Sequence, residues 1–300
     1  MNSLALGILS GLLTAFMQSF SYLGGRRFLA RYGNARQLLI ASLVICGAAA
    51  WILAIFFLDT TKIFSWKMLG LLIMSNGGFV AGQWGFFNAQ KHIESSRIAS
   101  LLGLKVLVVM FLSIVMLRAQ FTLWQYTAIV LAAFAAMLMN WSKGRLELGG
   151  MGFLLMALVG YAFSDMGIQM VVAYLECSSP IAGGLSGYVL TYGTMGIGAF
   201  LLMKPLKVSW KMVAGALPQG VCWTISMWGL YVCFGLIGAA FGNVIQASRG
   251  VVSLVLGIVL SYFAIDGLEQ KQSWQVWLRK ALAAILMFGA IVLYALTAKR

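Results

Sequence analysis

The chain alternates long apolar stretches with short polar or basic connections. Residues 98–117 are typical: twenty almost wholly apolar residues, enough to cross a hydrocarbon core of about 30 Å as one helix. Windows of this kind, each bounded by charged or turn-forming residues, predict ten membrane-spanning helices at about 4–23, 38–57, 68–87, 98–117, 124–141, 151–171, 183–203, 212–234, 242–264 and 279–297. None of the connections is long enough for a soluble domain, so we predict an all-α membrane protein.

A four-residue motif recurs 144 positions later in the chain. Residues 65–68 read Ser-Trp-Lys-Met, and residues 209–212 read the same. The offset divides the ten predicted spans into two repeats of five, residues 1–146 and 147–300. Because five is an odd number, the second repeat has the opposite orientation in the membrane, as in many secondary transporters. We therefore predict two five-helix inverted repeats packed as one bundle.

Composition supports a membrane location and explains the net charge. Hydrophobic residues make up 62% of the chain and charged residues 9%, whereas about a quarter of residues are charged in soluble domains. A net charge of +14 would otherwise suggest a nucleic-acid partner. Here the basic residues lie mostly in the connections, where the positive-inside rule accounts for them. We expect contact with the lipid bilayer and no nucleic-acid partner.

The distribution of basic residues predicts the orientation of the chain. The connections that follow odd-numbered spans, together with Arg279 and Lys280 at the start of span ten, hold 14 of the 21 Lys and Arg residues, whereas the opposite connections and the termini hold 5. Cytoplasmic connections are the ones that carry an excess of Lys and Arg. We therefore expect both termini outside a bacterial inner (cell) membrane, with the first apolar stretch retained as a helix.

The sequence lacks the patterns of a metal site or an enzyme. The four cysteines have no metal-type spacing and lie mostly within apolar spans, which favours packing roles. His92 is the one histidine in the sequence. There is no nucleophile paired with a base, and no phosphate-binding loop of an ATP-driven pump. We expect no metal, no cofactor and no enzymatic activity.

Three charged residues fall inside predicted spans and away from the span ends: Lys105, Arg249 and Asp165. Lys105 and Arg249 are 144 residues apart, and each lies about seven residues into its span, roughly 5 Å from the bilayer midplane on opposite sides. Charges at this depth are costly and mark functional sites. Two cations against one carboxylate favour an anionic ligand, such as a carboxylate, phosphate or sulfonate.

Asp165 leaves several interpretations open. Its carboxylate could pair with Lys105 or with Arg249, could bind and release a proton for coupling, or could do both in alternation. The purely structural alternative is an internal ion pair, with the remaining basic side chain reaching the membrane interface.

Polar and aromatic residues of the spans are candidates for lining a substrate pocket, although a tryptophan in a membrane helix more often packs or anchors than binds. The candidate substrate-binding residues are Asn76, Gln83 and Trp84 in span three, Tyr188 and Tyr192 in span seven, Gln219, Trp223 and Trp228 in span eight, and Gln246 in span nine. Pro218 could break span eight beside Gln219 and expose backbone groups there.

The whole pattern resembles the drug/metabolite transporter (DMT) superfamily, and specifically its ten-helix EamA-like branch. The resemblance rests on ten spans in a five-plus-five repeat, and most specifically on residues 98–117 followed by Phe-Thr-Leu-Trp-Gln at 121–125. It implies a secondary transporter whose central cavity is shared by both halves. One departure is that Arg118-Ala119-Gln120 stands where family members usually have a glutamate.

Two groups within the superfamily imply roles for the internal charges. In sugar-phosphate translocators, basic residues on the fourth and ninth helices hold the substrate phosphate, and Lys105 and Arg249 lie on the matching helices. Those translocators have a Lys-Arg pair on the ninth helix where this chain has Ser248-Arg249. In the small four-helix relatives, a glutamate of the first helix couples protons to the export of cationic compounds. Asp165 lies at a similar depth in the first helix of the second repeat.

The leading functional prediction is a secondary active transporter that moves a small anionic or zwitterionic metabolite by alternating access, with exchange or proton coupling. Lys105 and Arg249 would bind the anionic group of this small-molecule substrate, and Asp165 would couple or balance charge. One alternative is a proton-coupled exporter of amino acids or cationic drugs that uses Asp165. Another is a lipid flippase or a non-transporting membrane scaffold.

Overall fold

The computed structural model describes residues 3–57, 64–89, 92, 101–139, 150–175, 177, 179–252, 255 and 274–297. Every long regular element in these ranges is a helix, in agreement with the predicted all-α class. Among the residues in these ranges, six helices are long and apolar enough to cross a membrane, and two shorter apolar helices accompany them. The chain is therefore a multi-pass membrane protein. Parts of predicted spans four and nine lie outside the described residues, so the count of ten spans stays a prediction.

The helices follow the order of the predicted spans, and the first helix continues past the predicted end of span one. They are α1 (Ser3–Tyr32), α2 (Ala35–Phe57), α3 (Trp66–Leu72), a π-helical turn (Ile73–Gly77), α4 (Gly78–Ala89), α5 (Lys105–Leu117), α6 (Leu123–Met139), α7 (Met151–Leu175), α8 (Pro180–Met203), α9 (Trp210–Gln246) and α10 (Trp274–Thr297). The π-helical turn joins α3 to α4, so these three elements form one continuous span.

The turn between α1 and α2 is set by two adjacent residues. Gly33 has φ 71°, a left-handed conformation that glycine adopts without steric cost, and its N–H donates to Leu29 O at 2.8 Å. Asn34 then caps α2, because its Oδ1 accepts the N–H of Arg36 at 3.0 Å. Two residues therefore suffice to end α1 and to start α2.

The recurring Ser-Trp-Lys-Met motif is a helix start in both places. The Ser65 Oγ accepts the N–H of Met68 at 3.1 Å, and the Ser209 Oγ accepts the N–H of Met212 at 3.3 Å. A serine at this position satisfies a backbone donor that the first helical turn leaves without an internal partner. The repeated sequence thus produces the same local structure at α3 and at α9.

The described helices divide between two compact units. Unit 1 comprises Met1–Leu72 and Ile168–Ile237, and unit 2 comprises Ile73–Gly167 and Gly238–Arg300. Each unit takes residues from both predicted repeats, so the units are not the repeats. The division into repeats 1–146 and 147–300 concerns sequence correspondence, and it stays a prediction.

One unit boundary falls at a break in α9. Gly238 has φ 77° and ψ 159°, which is not helical, so α9 consists of helical segments 210–237 and 239–246. Predicted spans eight and nine therefore follow each other with a single glycine between them. Pro218 lies inside the first segment, which remains helical through it, so the expected break beside Gln219 does not occur.

Glycines allow the helices of unit 1 to approach closely. A Cβ added at Gly47 of α2 would lie 2.5 Å from the Cα of Gly196 of α8, a distance that real Cβ atoms essentially never show. Where α1 meets α9, the hydroxyl of Thr14 donates to Ser226 O at 3.1 Å. Small residues and hydroxyl groups at contacts of this kind drive helix association in lipid, where the hydrophobic effect contributes little.

Unit 2 contains a similar contact between α4 and α7. A Cβ added at Gly160 would lie 2.5 Å from the backbone nitrogen of Gly82, and one at Gly78 would lie 2.7 Å from the backbone nitrogen of Ser164. Because both obstacles are backbone atoms, neither can move aside at low cost. The helix that carries Asp165 is therefore held against α4 by backbone packing.

We expect Gly160→Ala to destabilise the protein by about 1–3 kcal/mol, because its methyl group would force α4 and α7 apart. The melting temperature of the purified protein in detergent measures this. Gly152→Ala is the matched control, since it lies on the same helix with nothing within 4 Å of the added Cβ. It should leave the melting temperature unchanged or raise it. Equal melting temperatures for the two variants would contradict the close packing.

Candidate functional site

An ion pair inside unit 2 joins two of the three predicted internal charges. The Nζ of Lys105, the first residue of α5, lies 2.7 Å from Oδ2 of Asp165 in α7. The side chains are 19% and 8% exposed, respectively. The sequence left open which cation Asp165 meets, and this conformation pairs it with Lys105. An ion pair shielded in this way gains more from its Coulomb attraction than an exposed pair does.

Two amide side chains complete what we call the charge cluster, the group Lys105, Asp165, Asn243 and Gln246. The Nδ2 of Asn243 donates to Asp165 Oδ2 at 2.9 Å and to Ala239 O at 2.9 Å. The Oε1 of Gln246 accepts from Lys105 Nζ at 3.3 Å. Both amides are buried. The carboxylate oxygen thus receives two donors, which offsets part of the cost of removing the two charges from water.

Asn243 was not among the candidates from the sequence, whereas Gln246 was. The two residues are three positions apart, so they lie on the same face of the helix. A second polar residue one turn from Gln246 in an otherwise apolar span was therefore the signal available. This signal identifies a polar stripe on the helix, but it does not identify the residues of other helices that the stripe contacts.

Helix breaks precede both predicted cations. A turn at residues 103–104 precedes α5, and a turn at residues 247–248 follows α9 before helix resumes at 249–252. In each turn a backbone hydrogen bond joins residues three positions apart. Leu107 N–H donates to Leu104 O at 3.0 Å, and Val251 N–H donates to Ser248 O at 2.9 Å. At the offset of 144, Leu104 corresponds to Ser248. Interrupted helices near the midplane are a feature of transporter binding sites.

The position of the cations relative to these breaks has an electrostatic consequence. Lys105 begins α5, and Arg249 begins the helical residues that follow the second turn. The start of a helix carries partial positive charge, so a cation there is unfavourable unless negative charge lies nearby. Asp165 supplies that charge for Lys105 in this conformation. Arg249 is half-buried in the same unit.

The candidates on span three lie in the π-helical turn and in α4. Asn76 lies in the π-helical turn, a form that is frequent at functional sites. Gln83 is half-buried in α4. Trp84 is 53% exposed and packs edge-on against Phe153, with ring centroids 5.5 Å apart. Trp84 therefore faces outward and makes a packing contact.

An open groove of about 340 Å³ lies beside the π-helical turn. Its lining residues come from the π-helical turn, α4 and α7 and carry no charge: Ile73, Met74, Gly77, Gly78, Ala81, Met156, Val159, Gly160 and Phe163. An apolar surface of this kind suits hydrocarbon rather than a charged solute. The groove is therefore distinct in chemistry from the charge cluster.

The aromatic candidates of spans seven and eight form a packed cluster in unit 1. The rings of Tyr188 and Tyr192 stack with centroids 4.8 Å apart, and both side chains are buried. The Nε1 of Trp223 donates to the Tyr192 hydroxyl at 3.0 Å. The ring of Trp228 meets that of Tyr188 edge-on at 6.1 Å. These four residues pack against one another in this conformation, as buried aromatic side chains commonly do.

Gln219 lies where α1 crosses α9 in unit 1. A Cβ added at Gly24 would lie 2.7 Å from the backbone nitrogen of Gln219, and one at Gly25 would lie 2.6 Å from its Oε1. The amide is therefore enclosed by a helix contact. Gln219 belongs to unit 1, whereas Gln246 belongs to the charge cluster of unit 2.

Comparison with known proteins agrees with a membrane transporter. Residues 5–141 match the EamA-like transporter family. One solved crystal structure is 14% identical and has a TM-score of 0.73, with 98% of each chain covered. At this identity the likeness concerns the fold alone. No curated protein sequence matches this chain. The family match indicates a membrane transporter of small molecules.

Proposed function

From the match of residues 5–141 to the EamA-like transporter family, we propose that this protein is a member of the drug/metabolite transporter superfamily and a secondary active transporter for a small anionic or zwitterionic metabolite. The observation that carries the proposal is the charge cluster, in which the half-buried Lys105 begins a helix immediately after a break. A cation at this position attracts an anion both directly and through the helix end. The transporter works by alternating access.

Asp165 provides the coupling step. In this conformation its carboxylate oxygen Oδ2 lies 2.7 Å from Lys105 Nζ. This ammonium group is the one that would bind an anionic substrate. Protonation of the carboxylate removes its charge, so Lys105 becomes available to the substrate. Asn243 holds the same carboxylate oxygen, and so keeps Asp165 in reach of Lys105 while the proton is bound. Substrate anion and Asp165 carboxylate thus compete for one ammonium group, which links substrate binding to proton binding.

Corresponding contacts support the proposed inverted repeats. In unit 1, Gly24 of α1 packs against the backbone of Gln219, and in unit 2, Gly167 of α7 packs against the backbone of Ser75, with added Cβ atoms 2.7 Å away in both cases. Ser75 and Gln219 are separated by the offset of 144. The first helix of each repeat therefore packs on the third helix of the other in the same manner. The proposed arrangement keeps both termini outside a bacterial inner membrane.

The test is anion uptake by the purified protein in liposomes. We expect Lys105→Gln and Arg249→Gln each to reduce uptake of an anionic metabolite by at least about tenfold, because each removes a full charge from the substrate site. Candidate anions are first chosen by thermal shift, since a ligand that binds the folded state raises the melting temperature. Lys67→Gln is the control, because it removes one exposed cation at the start of α3.

The rival proposal is a proton-coupled exporter of amino acids or cationic drugs with Asp165 as the site. The burial of Asp165 favours it, since a shielded carboxylate suits both a proton and a cation. Under this proposal Lys105→Gln and Arg249→Gln retain transport, whereas Asp165→Asn loses it. That pattern would overturn the assignment of the two cations to substrate binding.

A further inference from the structure

Two connections at one end of unit 1 are tied together by hydrogen bonds. The hydroxyl of Tyr32, the last residue of α1, donates to Lys211 O at 3.3 Å. The Nε2 of Gln37, in the first turn of α2, donates to Leu206 O at 3.1 Å. The α1–α2 and α8–α9 connections are therefore neighbours, although they are about 170 residues apart in sequence.

This contact gathers basic side chains into one surface. Six exposed cations lie on the two connections or in the helical turns that flank them, and together we call them the basic patch: Arg27, Arg31, Arg36, Lys204, Lys207 and Lys211. None of the described residues of unit 1 is an aspartate or a glutamate. No carboxylate from those residues therefore compensates the charge, and mutual repulsion raises the attraction of the patch for an external anion.

Aromatic side chains place the basic patch at the membrane surface. Trp210, next to Lys211, is 64% exposed, and its ring lies 6.3 Å from that of Phe200. Exposed tryptophans at helix ends concentrate at the level of the lipid headgroups. The cations beside Trp210 are therefore at the depth where lipid phosphates lie.

We propose that the basic patch is a binding site for the headgroups of anionic phospholipids. Guanidinium groups bind phosphate oxygens in pairs, and the lysines add point charges around them. Basic surfaces between neighbouring membrane helices are suited to such headgroups. The proposal does not depend on the transported substrate, because the charge cluster lies in unit 2 and the basic patch in unit 1.

Native mass spectrometry of the detergent-purified protein tests this with phosphatidylglycerol and phosphatidylcholine as probes. We expect tighter binding of phosphatidylglycerol. Arg31→Gln/Lys207→Gln should weaken it by about tenfold, because each removed cation near the surface contributes to the attraction. Lys67→Gln/Arg118→Gln is the matched control, since it removes two exposed cations outside the basic patch. The control should bind phosphatidylglycerol as the wild type does.

A second variant separates a built site from simple charge attraction. Gln37→Leu keeps all the cations but removes the hydrogen bonds to Leu206 O and Lys207 O. We expect it to weaken phosphatidylglycerol binding several-fold, because the two connections are no longer held together. Equal binding of the two lipids by the wild type, or equal losses in the double variant and its control, would overturn the proposal. Full displacement of phosphatidylglycerol by an equal concentration of inorganic phosphate would indicate a site for free phosphate instead.

Discussion

Asp165→Asn is expected to abolish coupled transport and to destabilise the protein by about 3–5 kcal/mol, because it leaves the shielded Lys105 charge without its carboxylate. Asparagine has nearly the same shape as aspartate, so the packing of α7 against α4 is retained. The change in stability therefore measures the loss of the carboxylate charge. The melting temperature in detergent measures the stability, and substrate flux driven by a pH gradient in liposomes measures the transport.

The double variant Lys105→Met/Asp165→Asn distinguishes the two effects. Because it removes both charges together, its stability should return close to that of the wild type. The double variant should still fail to transport, since it lacks both the ammonium group that binds the substrate and the carboxylate that accepts the proton. A melting temperature of the single variant equal to that of the wild type would contradict an energetically important ion pair. Transport by the double variant would show that neither residue is required for transport.

Tyr188→Ala is expected to cost about 3–5 kcal/mol of stability, the second largest effect, because it opens a cavity in the packed aromatic cluster of unit 1. Tyr188 is fully buried, and its hydroxyl donates to Cys46 O at 2.9 Å. Tyr188→Phe keeps the ring and loses this hydrogen bond and the longer one to Thr224 Oγ1 at 3.4 Å, at a cost of about 1 kcal/mol. Thermal melting of both variants measures these costs.

Transport by Tyr188→Phe decides between packing and substrate binding for the aromatic cluster. If Tyr188 only packs, the phenylalanine variant should transport at close to the wild-type rate. A stable Tyr188→Phe variant with a strongly raised KM would instead place the hydroxyl in contact with the substrate during the transport cycle.

Helix boundaries were predictable where charge or proline marked them, and not where packing decided them. The predicted span 38–57 corresponds to α2, Ala35–Phe57, and the predicted span 183–203 to α8, Pro180–Met203. Span one was predicted to end at residue 23, before Gly24 and Gly25, yet α1 continues to Tyr32. The two glycines are not a terminator there. They let α1 approach Gln219 of α9, and that partner is invisible in the local sequence.

The candidate site was predictable in its charges and in Gln246, but not in Asn243. A lysine and an aspartate inside apolar spans are conspicuous because the hydrocarbon core penalises them. Asn243 is as important to the arrangement, since it donates to the same oxygen as Lys105 does. An asparagine in a membrane helix is a weaker signal because burying an uncharged amide costs less. Trp84 and Tyr188 were conspicuous by size. In the structure Trp84 is exposed and packs against one ring, whereas Tyr188 is buried among several aromatic rings.

The sequence by itself determined the membrane location, the all-α class and the identity of the internal charges. These properties follow from the transfer of individual side chains and backbone groups into hydrocarbon, which depends on local composition. Only the tertiary structure decided that Asp165 meets Lys105, with Asn243 and Gln246 beside them. Partner choice depends on which helix faces approach within about 3 Å, and that is set by glycine contacts and helix breaks distributed over the whole chain.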